Sequence, residues 1–317
     1  MSGESRFIDS LRALVTDPAA RELLDDAAVL EVGSARLVLT HDIVAEGVHF
    51  LPGDPPGDVA WKLVAVNLSD LAAKGARPLG ALLGYSLAAD GEWNSAFVEG
   101  LRLALDGFGL KLLGGDTICL PEGAPRAFGL TAIGEASGPV PSRSGAKPGD
   151  HLWVSGTIGD AGAGLAVARG ELHGAASLIE RYRLPRPRLE AGQALAPLVS
   201  AMMDVSDGLL IDLARMAEAS GVAAVIELDT VPLSEAYIAA RGEEREARIA
   251  AATAGDDYEL LFSADPAQAP AILAASDALG LPFSRIGHAF EGQGLRLTDR
   301  GGEVPLPTRL GYQHRSS

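Results

Sequence analysis

Cysteine is almost absent from this 317-residue sequence, and so are long apolar runs. Cys119 is the only cysteine, which excludes an intramolecular disulfide and a zinc site built from several thiolates. No uninterrupted apolar stretch approaches the ~20 residues that a membrane-spanning helix needs. The polar start, MSGESR, is not followed by the apolar segment of a signal peptide. The sequence therefore predicts a cytoplasmic protein with no membrane partner.

Basic residues are also scarce. The chain has 26 Lys and Arg against 42 Asp and Glu, for a formal net charge of −16. No basic stripe is present that could neutralise nucleic-acid phosphates, so we expect no nucleic-acid partner. Aromatic residues make up only 5% of a sequence that is 47% hydrophobic. That balance favours closely packed α/β layers over an all-β sandwich.

The sequence indicates two domains. Its length suffices for two of ordinary size, and the segment SGPVPSRSGAKPGD at residues 137–150 has the Gly, Pro and Ser content of a linker. We therefore predict domains at 1–137 and 138–317. Predicted strands and helices follow one another without strict alternation, which favours a mixed α+β or α/β class over a simple doubly wound sheet.

The common phosphate-binding motifs are missing. The sequence contains no G-x-x-x-x-G-K-[ST] loop and no G-x-G-x-x-G turn opening a helix. The glycine-rich stretch from Gly156 to Gly164 has no lysine at the required place, and it indicates a closely packed strand-to-helix turn. Any nucleotide is therefore expected to bind mainly through metal ions. Arg143 is a candidate phosphate contact, although an arginine in an exposed linker is more often simply solvated.

Aspartates recur at the ends of predicted apolar strands. Taken singly, each is more simply explained as a helix cap or a solvated turn, and Ser69 or Asp70 within VNLSDLAAKGA could cap a turn. If several converge, their repulsion raises their pKa values unless a cation neutralises them. Oxygen ligands without Cys and with few His favour Mg²⁺, which in turn suggests a phosphate-bearing substrate. The aspartates concerned are Asp26, Asp42, Asp70, Asp116, Asp204 and Asp207.

Eight motifs occur in order across nearly the whole chain, and together they resemble the thiamine-monophosphate kinase family. Each is weak alone, but their succession is specific. The motifs are Asp25-Asp26, Thr40-His41-Asp42, EGVHF at 46–50, VNLSDLAAKGA at 66–76, LLGGDT at 112–117, SRSGAKPGD at 142–150, DVSDGL at 204–209 and GDDYELLF at 255–262.

The resemblance implies a two-domain fold of the aminoimidazole-ribonucleotide-synthetase-like superfamily. The N-terminal domain would bind ATP and Mg²⁺ and pair across a homodimer, so that the two N-terminal sheets form a barrel. The C-terminal α/β domain would complete the active site. The implied activity is ATP-dependent phosphorylation of thiamine phosphate to thiamine diphosphate, with several Mg²⁺ ions, by direct in-line transfer without a covalent nucleophile.

The resemblance also implies roles for individual residues. The implied thiamine site pairs an acid and an aromatic ring, which suit a cationic thiazolium. The implied metal ligands are Asp26, Thr40, Asp42, Asp70, Asp116, Asp204 and Asp207. The implied ATP contacts are Gly115, Arg143 and Ser206, and the implied thiamine contacts are His49, Asp256 and Tyr312.

The sequence departs from the family pattern at three places. Glu22-Leu23-Leu24 stands where glycines are frequent, His41 where threonine is common, and Asp256 where glutamate is usual. Two other functions stay open at this stage. One is another ATP-dependent synthetase of the superfamily. The other is a catalytically silent nucleotide- or metal-binding homologue, for which the altered 22–24 segment is the main support.

Overall fold

The computed structural model describes residues 3–87, 90–121 and 123–313, which form two β-sheets with helices packed on them. The helices are α1 (Gly3–Arg12), α2 (Pro56–Ala73), α3 (Gly91–Phe108), α4 (Asp160–Ala168), α5 (Ala176–Arg183), α6 (Leu189–Leu195), α7 (Leu209–Ser220), α8 (Glu235–Arg241), α9 (Arg245–Ala252) and α10 (Ala269–Leu279). The strands are β1 (Ala28–Val32), β2 (Ala35–Ala45), β3 (Arg77–Leu87), β4 (Lys111–Cys119), β5 (Ala127–Glu135), β6 (His151–Ser155), β7 (Ala201–Asp204), β8 (Ala223–Glu227), β9 (Leu260–Ala264), β10 (Phe283–Phe290), β11 (Gly294–Asp299) and β12 (Gly302–Val304).

The N-terminal sheet has five strands in the order β1-β2-β5-β3-β4, and only the β3–β4 pair is parallel. One face packs on α2 and α3 through an apolar core that includes Leu63, Phe97 and Phe128. On β2, residues alternate between this core and solvent, as expected for a sheet covered on one side. Ile43 and Leu82 leave apolar surface exposed on the opposite face.

The C-terminal sheet has seven strands in the order β12-β11-β8-β10-β6-β9-β7, with β8 and β11 as its parallel pair. Its core on one side includes Val154, Leu213 and Ile226. A separate cluster on Trp153 and Phe262 also contains Ala72 and Ala73 of α2. The last turn of α2 therefore joins the two halves. The predicted mixed α+β class is confirmed, and among the described residues no helix is long and apolar enough to cross a membrane.

Helix α2 corrects one sequence prediction. The VNLSDLAAKGA segment was predicted to be a helix or a strand, with Ser69 or Asp70 able to cap a following turn, and Asp70 was grouped with the aspartates at strand ends. Ser69 and Asp70 both lie inside α2. Ser69 is fully buried, and Asp70 lies in the last turn of the helix. The helix alternative is confirmed, and the cap and strand-end interpretations were wrong. The sequence could not decide between them because this helix is buried on nearly every side, so it has no polar stripe that would reveal a helical period.

Two strands are longer than the sequence predicted. Strand β2 continues through Asp42 to Ala45, and β4 continues through Asp116 to Cys119. The prediction that these aspartates follow strand ends was therefore wrong. Pairing explains the extension, because β2 is hydrogen-bonded to β5 along its length and β4 to β3 up to Leu87. Asp204 does close its strand, as predicted.

Candidate active site

Three aspartates from separate elements meet where the two halves join. Asp26 precedes β1, Asp70 lies in the last turn of α2, and Asp204 ends β7. One carboxylate oxygen from each lies within 4.8 Å of the others. The side chains are almost entirely buried. The structure therefore brings together three of the predicted metal ligands, contributed by both halves of the chain.

The electrostatics of this cluster are unfavourable without a cation. Burial, reinforced by the Asp42, Asp204 and Asp26 charges, raises the pKa of Asp70 well above its ordinary value. Burial and the charge of Asp26 likewise raise the pKa of Asp204 well above its ordinary value. Such carboxyl groups either hold a proton or share a cation. An oxygen-only, buried and incompletely neutralised set fits Mg²⁺, which prefers hard oxygen ligands.

Thr40 and Asp42 on β2 face the cluster. The Thr40 hydroxyl donates to the Asp70 carboxylate and lies 3.3 Å from the Asp26 carbonyl oxygen. Asn67 of α2 accepts a hydrogen bond from the Asp42 backbone N–H at 2.9 Å, which fixes β2 against the helix. Burial raises the pKa of Asp42, and the charges of Asp26 and Asp207 act in the same direction. Both residues therefore border the predicted metal-binding region.

Asp26 differs from the other two because protein cations contact it. Arg143 from the linker segment contacts one carboxylate oxygen, and Lys74 Nζ lies 2.7 Å from the other. Burial alone would raise the pKa of Asp26, but Arg143 and Lys74 hold it well below its usual range. Arg143, predicted to contact ATP, thus already lies at the cluster. The sequence did not identify Lys74.

The DVSDGL turn places Asp207 at the edge of the site. Arg215 Nη1 lies 2.5 Å from the Asp207 carboxylate. The turn itself is held by Asp212, whose Oδ2 accepts from the backbone N–H groups of Asp207 at 3.0 Å and Gly208 at 3.1 Å. Gly208 has φ +126°, which favours glycine. Asp212 and Arg215 were missed by the sequence reasoning, because only the fold turns them back onto this loop.

The predicted substrate residues His49 and Asp256 are linked through Lys62 of α2. Lys62 Nζ lies 2.7 Å from Asp256 Oδ2 and 2.9 Å from the His49 carbonyl oxygen. The ammonium also lies 4.2 Å from the centre of the Tyr182 ring. Lys62 therefore already balances the charge of Asp256, the acid that the sequence assigns to a cationic ring.

Ser206 and Tyr312 are attached to the same loops through backbone hydrogen bonds. The Ser206 carbonyl oxygen accepts from the Asp256 N–H at 2.8 Å, and the Asp207 carbonyl oxygen accepts from the Tyr312 N–H at 2.9 Å. The Tyr312 side chain is partly exposed. These bonds bring the predicted ATP-binding turn, the Asp256 loop and the C-terminal segment next to one another.

Gly115 and Asp116 are not brought to the cluster within one chain. Gly115 shares a row of the sheet with Asp42, but β5 and β3 lie between β4 and β2. Three inter-strand spacings separate them by roughly 14 Å. Asp116 shares the next row with Ile43, and it therefore points to the sheet face opposite Asp42. Gly115 itself must be glycine, since a Cβ would lie 1.9 Å from the Leu83 carbonyl oxygen.

The segment before Asp25 has a strained backbone. Arg21, Glu22 and Leu23 have φ values of 46°, 58° and 54°, in the left-handed region that non-glycine residues rarely adopt. The Arg21 side chain anchors the turn by contacting Asp25 and donating to the carbonyl oxygens of Pro141 and Val140 at 3.0 and 3.1 Å. The turn therefore has a backbone conformation that suits glycine, although none of these three residues is glycine.

Comparisons with known proteins identify the family to which the chain belongs. The chain matches the family model of AIR synthase related protein, N-terminal domain, over residues 24–136, and that of the C-terminal domain over residues 147–300. Thiamine-monophosphate kinase from Caulobacter vibrioides is 42% identical over 94% of this chain and 86% of its own length.

Two solved structures are similar over nearly the whole chain. Thiamine-monophosphate kinase from Stenotrophomonas maltophilia is 38% identical, with a TM-score of 0.78, covering 92% of this chain and 94% of that one. A structure described as AaThiL complexed with AMPPCP and TMP is 29% identical, with a TM-score of 0.84, covering 98% of this chain and 97% of that one.

Proposed function

The chain belongs to the thiamine-monophosphate kinase family, and we propose that it transfers the terminal phosphoryl group of ATP to thiamine phosphate. The bond between the β- and γ-phosphates of ATP breaks, and a new P–O–P bond forms on the acceptor, yielding thiamine diphosphate and ADP. The observation that carries the proposal is the buried cluster of Asp26, Asp70 and Asp204 in a chain 42% identical to a relative of that name.

The cluster suits a reaction between two anions. Asp26, Asp70 and Asp204, with Asp42, Asp207 and Thr40 around them, would hold the Mg²⁺ ions. Bound Mg²⁺ would offset the repulsion between donor and acceptor phosphates and the charge that develops during transfer. The acceptor phosphate is itself a nucleophile, so the chain needs to supply alignment rather than a strong base. We therefore assign no covalent catalytic residue.

We propose that ATP and the thiamine moiety bind to the loops described above. Arg143 and Ser206 would contact ATP, Arg143 through its guanidinium. His49, Asp256 and Tyr312 would contact the thiamine moiety. Lys62 would then hold His49 and Asp256 at their present spacing, and the Tyr182 ring beneath it would stabilise the ammonium.

We further propose a homodimer formed through the open face of the N-terminal sheet. Support comes from exposed apolar side chains on that face, Ile43, Leu82 and Ile118, and from β4, an edge strand exposed along its whole length. Uncovered edges and apolar patches favour pairing with another chain. Because Asp116 and Gly115 do not reach the cluster of their own chain, we propose that they serve the site of the partner.

We also propose that residues 1–137 and 138–317 act as the two domains, with the cluster between them. A cytoplasmic location is proposed because ATP, the proposed phosphoryl donor, is a cytoplasmic metabolite.

Incubation with ATP, MgCl₂ and thiamine phosphate tests the proposal. We expect thiamine diphosphate and ADP in equal amounts, quantified by chromatography, and no product when the metal is chelated. ATP binding without any thiamine diphosphate would instead favour a catalytically silent homologue. ADP formed only with a different acceptor would favour another synthetase of the superfamily.

A further inference from the structure

Lys74 directly follows the last residue of α2, and its side chain is fully buried. A buried ammonium is costly unless acceptors surround it. Here Nζ lies 2.5 Å from Asp25 Oδ1, 2.7 Å from Asp26 Oδ2 and 3.3 Å from the Met202 carbonyl oxygen. The contacts with Asp25 and with the Met202 carbonyl oxygen are hydrogen bonds, and the contact with Asp26 is an ion pair. Two carboxylates and one carbonyl oxygen therefore surround the Lys74 ammonium at the junction of the two halves.

The protein cations are concentrated at one end of the carboxylate cluster. Asp26 contacts both Lys74 and Arg143. Asp70 and Asp204, by contrast, form no ion pair with any described Lys, Arg or His side chain, although their oxygens lie within 4.8 Å of one of Asp26. The Asp26 end of the cluster therefore has positive charge from protein side chains. The Asp70–Asp204 end can be neutralised only by a bound cation or by protons.

We propose that Lys74 is a built-in counter-ion of the metal site. Its ammonium supplies positive charge to Asp25 and Asp26 that a further divalent cation would otherwise supply, so the site binds one fewer metal ion than its carboxylates could hold. A divalent ion near Nζ would be repelled strongly at such short range in a buried site. The inference rests on the proposed function, which requires a metal-binding cluster.

The Lys74→Met variant tests this proposal because it keeps an unbranched apolar stem and removes the charge. Metal-stripped full-length protein is dialysed against Mn²⁺ to count bound ions, and thermal unfolding is followed while Mg²⁺ is titrated. We expect the variant to bind one more Mn²⁺ per chain than the wild type. We also expect the Mg²⁺ concentration for half-maximal stabilisation to fall by at least about tenfold, as loss of one repelling charge predicts.

Two further variants make the test decisive. Lys147→Met removes an exposed lysine in the linker segment and should keep the wild-type ion count and Mg²⁺ midpoint. Lys74→Gln, which is neutral but polar, replaces Lys74→Met in the test if the latter fails to fold, and it should also bind one more Mn²⁺ and have a lower Mg²⁺ midpoint than the wild type. The inference is overturned if the neutral Lys74 variants bind the same number of Mn²⁺ ions as the wild type, or if their Mg²⁺ midpoint stays equal or rises. The proposed function would stand in that case. Absence of Mn²⁺ binding by the wild type overturns the proposed function as well.

Discussion

Asp70 is the residue on which the candidate site most depends. It lies between Thr40, which donates to it, and the carboxylates of Asp26 and Asp204. No described lysine or arginine pairs with it. A side chain in this position destabilises the metal-free protein and gains a favourable partner only when a cation binds. This is the arrangement expected of a residue retained for function rather than for stability.

Asp70→Asn is therefore expected to separate activity from folding. Turnover should fall by a factor of about a hundred or more, because our proposal makes Asp70 a ligand of the Mg²⁺ that neutralises the reacting phosphates. The metal-free melting temperature should stay the same or rise, because the neutral amide relieves the repulsion with Asp42, Asp204 and Asp26. Kinase assays and thermal unfolding with and without Mg²⁺ measure both. The exposed Asp277→Asn on α10 is the matched control and should change neither.

The pH dependence of stability gives a second readout of the same variant. Because the pKa of Asp70 is raised in the folded chain, the metal-free native state keeps a proton that the unfolded chain releases. The contribution of protonated Asp70 to the free energy of unfolding is therefore fully present below the ordinary carboxyl pKa of about 4. It is lost as the pH rises through the raised pKa of Asp70 in the folded chain. Asp70→Asn should flatten this decline. A decline as steep as that of the wild type, with activity retained, would contradict the assignment.

At the scale of elements, helices and strands with one exposed face are easier to predict from the sequence than elements that are buried on nearly every side. The sequence pattern predicts a helix over residues 93–105 and a strand over residues 128–135, and α3 and β5 match these bounds within three residues. The agreement is close because α3 has a polar face and β5 has clear flanking turns. For α2 the sequence left a helix and a strand open, since burial on nearly every side removes the hydrophobic period that distinguishes a helix from a strand. The lengths of β2 and β4 depended on pairing with β5 and β3, which no local pattern contains.

The same limit applies to the site. The carboxylates of Asp26, Asp70 and Asp204 were predicted because their motifs and chemistry are recognisable in sequence. Lys74 was not, although a lysine at the end of an apolar segment was a visible signal. Its role depends on contacts with Asp25 and with Met202, which lies 128 residues away along the chain. Only the packing of α2 against both halves makes those contacts.

The left-handed turn before β1 makes a testable contribution to stability. Glu22 has φ 58° and ψ 18°, a conformation that costs a non-glycine residue about 1 kcal/mol. Glu22→Gly should therefore raise the free energy of unfolding by roughly 0.5 kcal/mol, after the greater chain entropy of glycine is subtracted. Thermal and denaturant unfolding measure this gain.

Glu22→Ala is the control for that turn. It removes the same exposed carboxylate but keeps a Cβ, and hence the steric strain. We expect it to remain at wild-type stability or slightly below. If Glu22→Gly is no more stable than Glu22→Ala, the backbone at this position is not strained in solution.

At the scale of the whole molecule, the chain places its carboxylate cluster at the contact between two halves and leaves one sheet face open. Helix α2 packs against the N-terminal sheet and, through Ala72 and Ala73, against the cluster that contains Trp153 and Phe262. Any change in how the halves pack therefore alters the spacing of Asp70 and Asp204. On the other side of the sheet, Asp116 and the exposed apolar residues share a surface that one copy of the chain does not cover.

Mixing two inactive variants tests whether the site is shared between copies. Asp70→Asn disables the cluster, and Asp116→Asn removes the carboxylate that we assign to the partner's site. If the sites are composite, a mixed dimer carries both changes in one site and leaves the other intact. Random reassociation should then restore roughly a quarter of wild-type activity, since half of the dimers are mixed and each has one working site.

Recovery is measured after unfolding and refolding the variants together, with each variant refolded alone as the control. A mixture that stays as inactive as its components, although mixed dimers are isolated through a tag carried by one variant, would place Asp116 in the site of its own chain. An Asp116→Asn variant that is active by itself would place Asp116 outside any site.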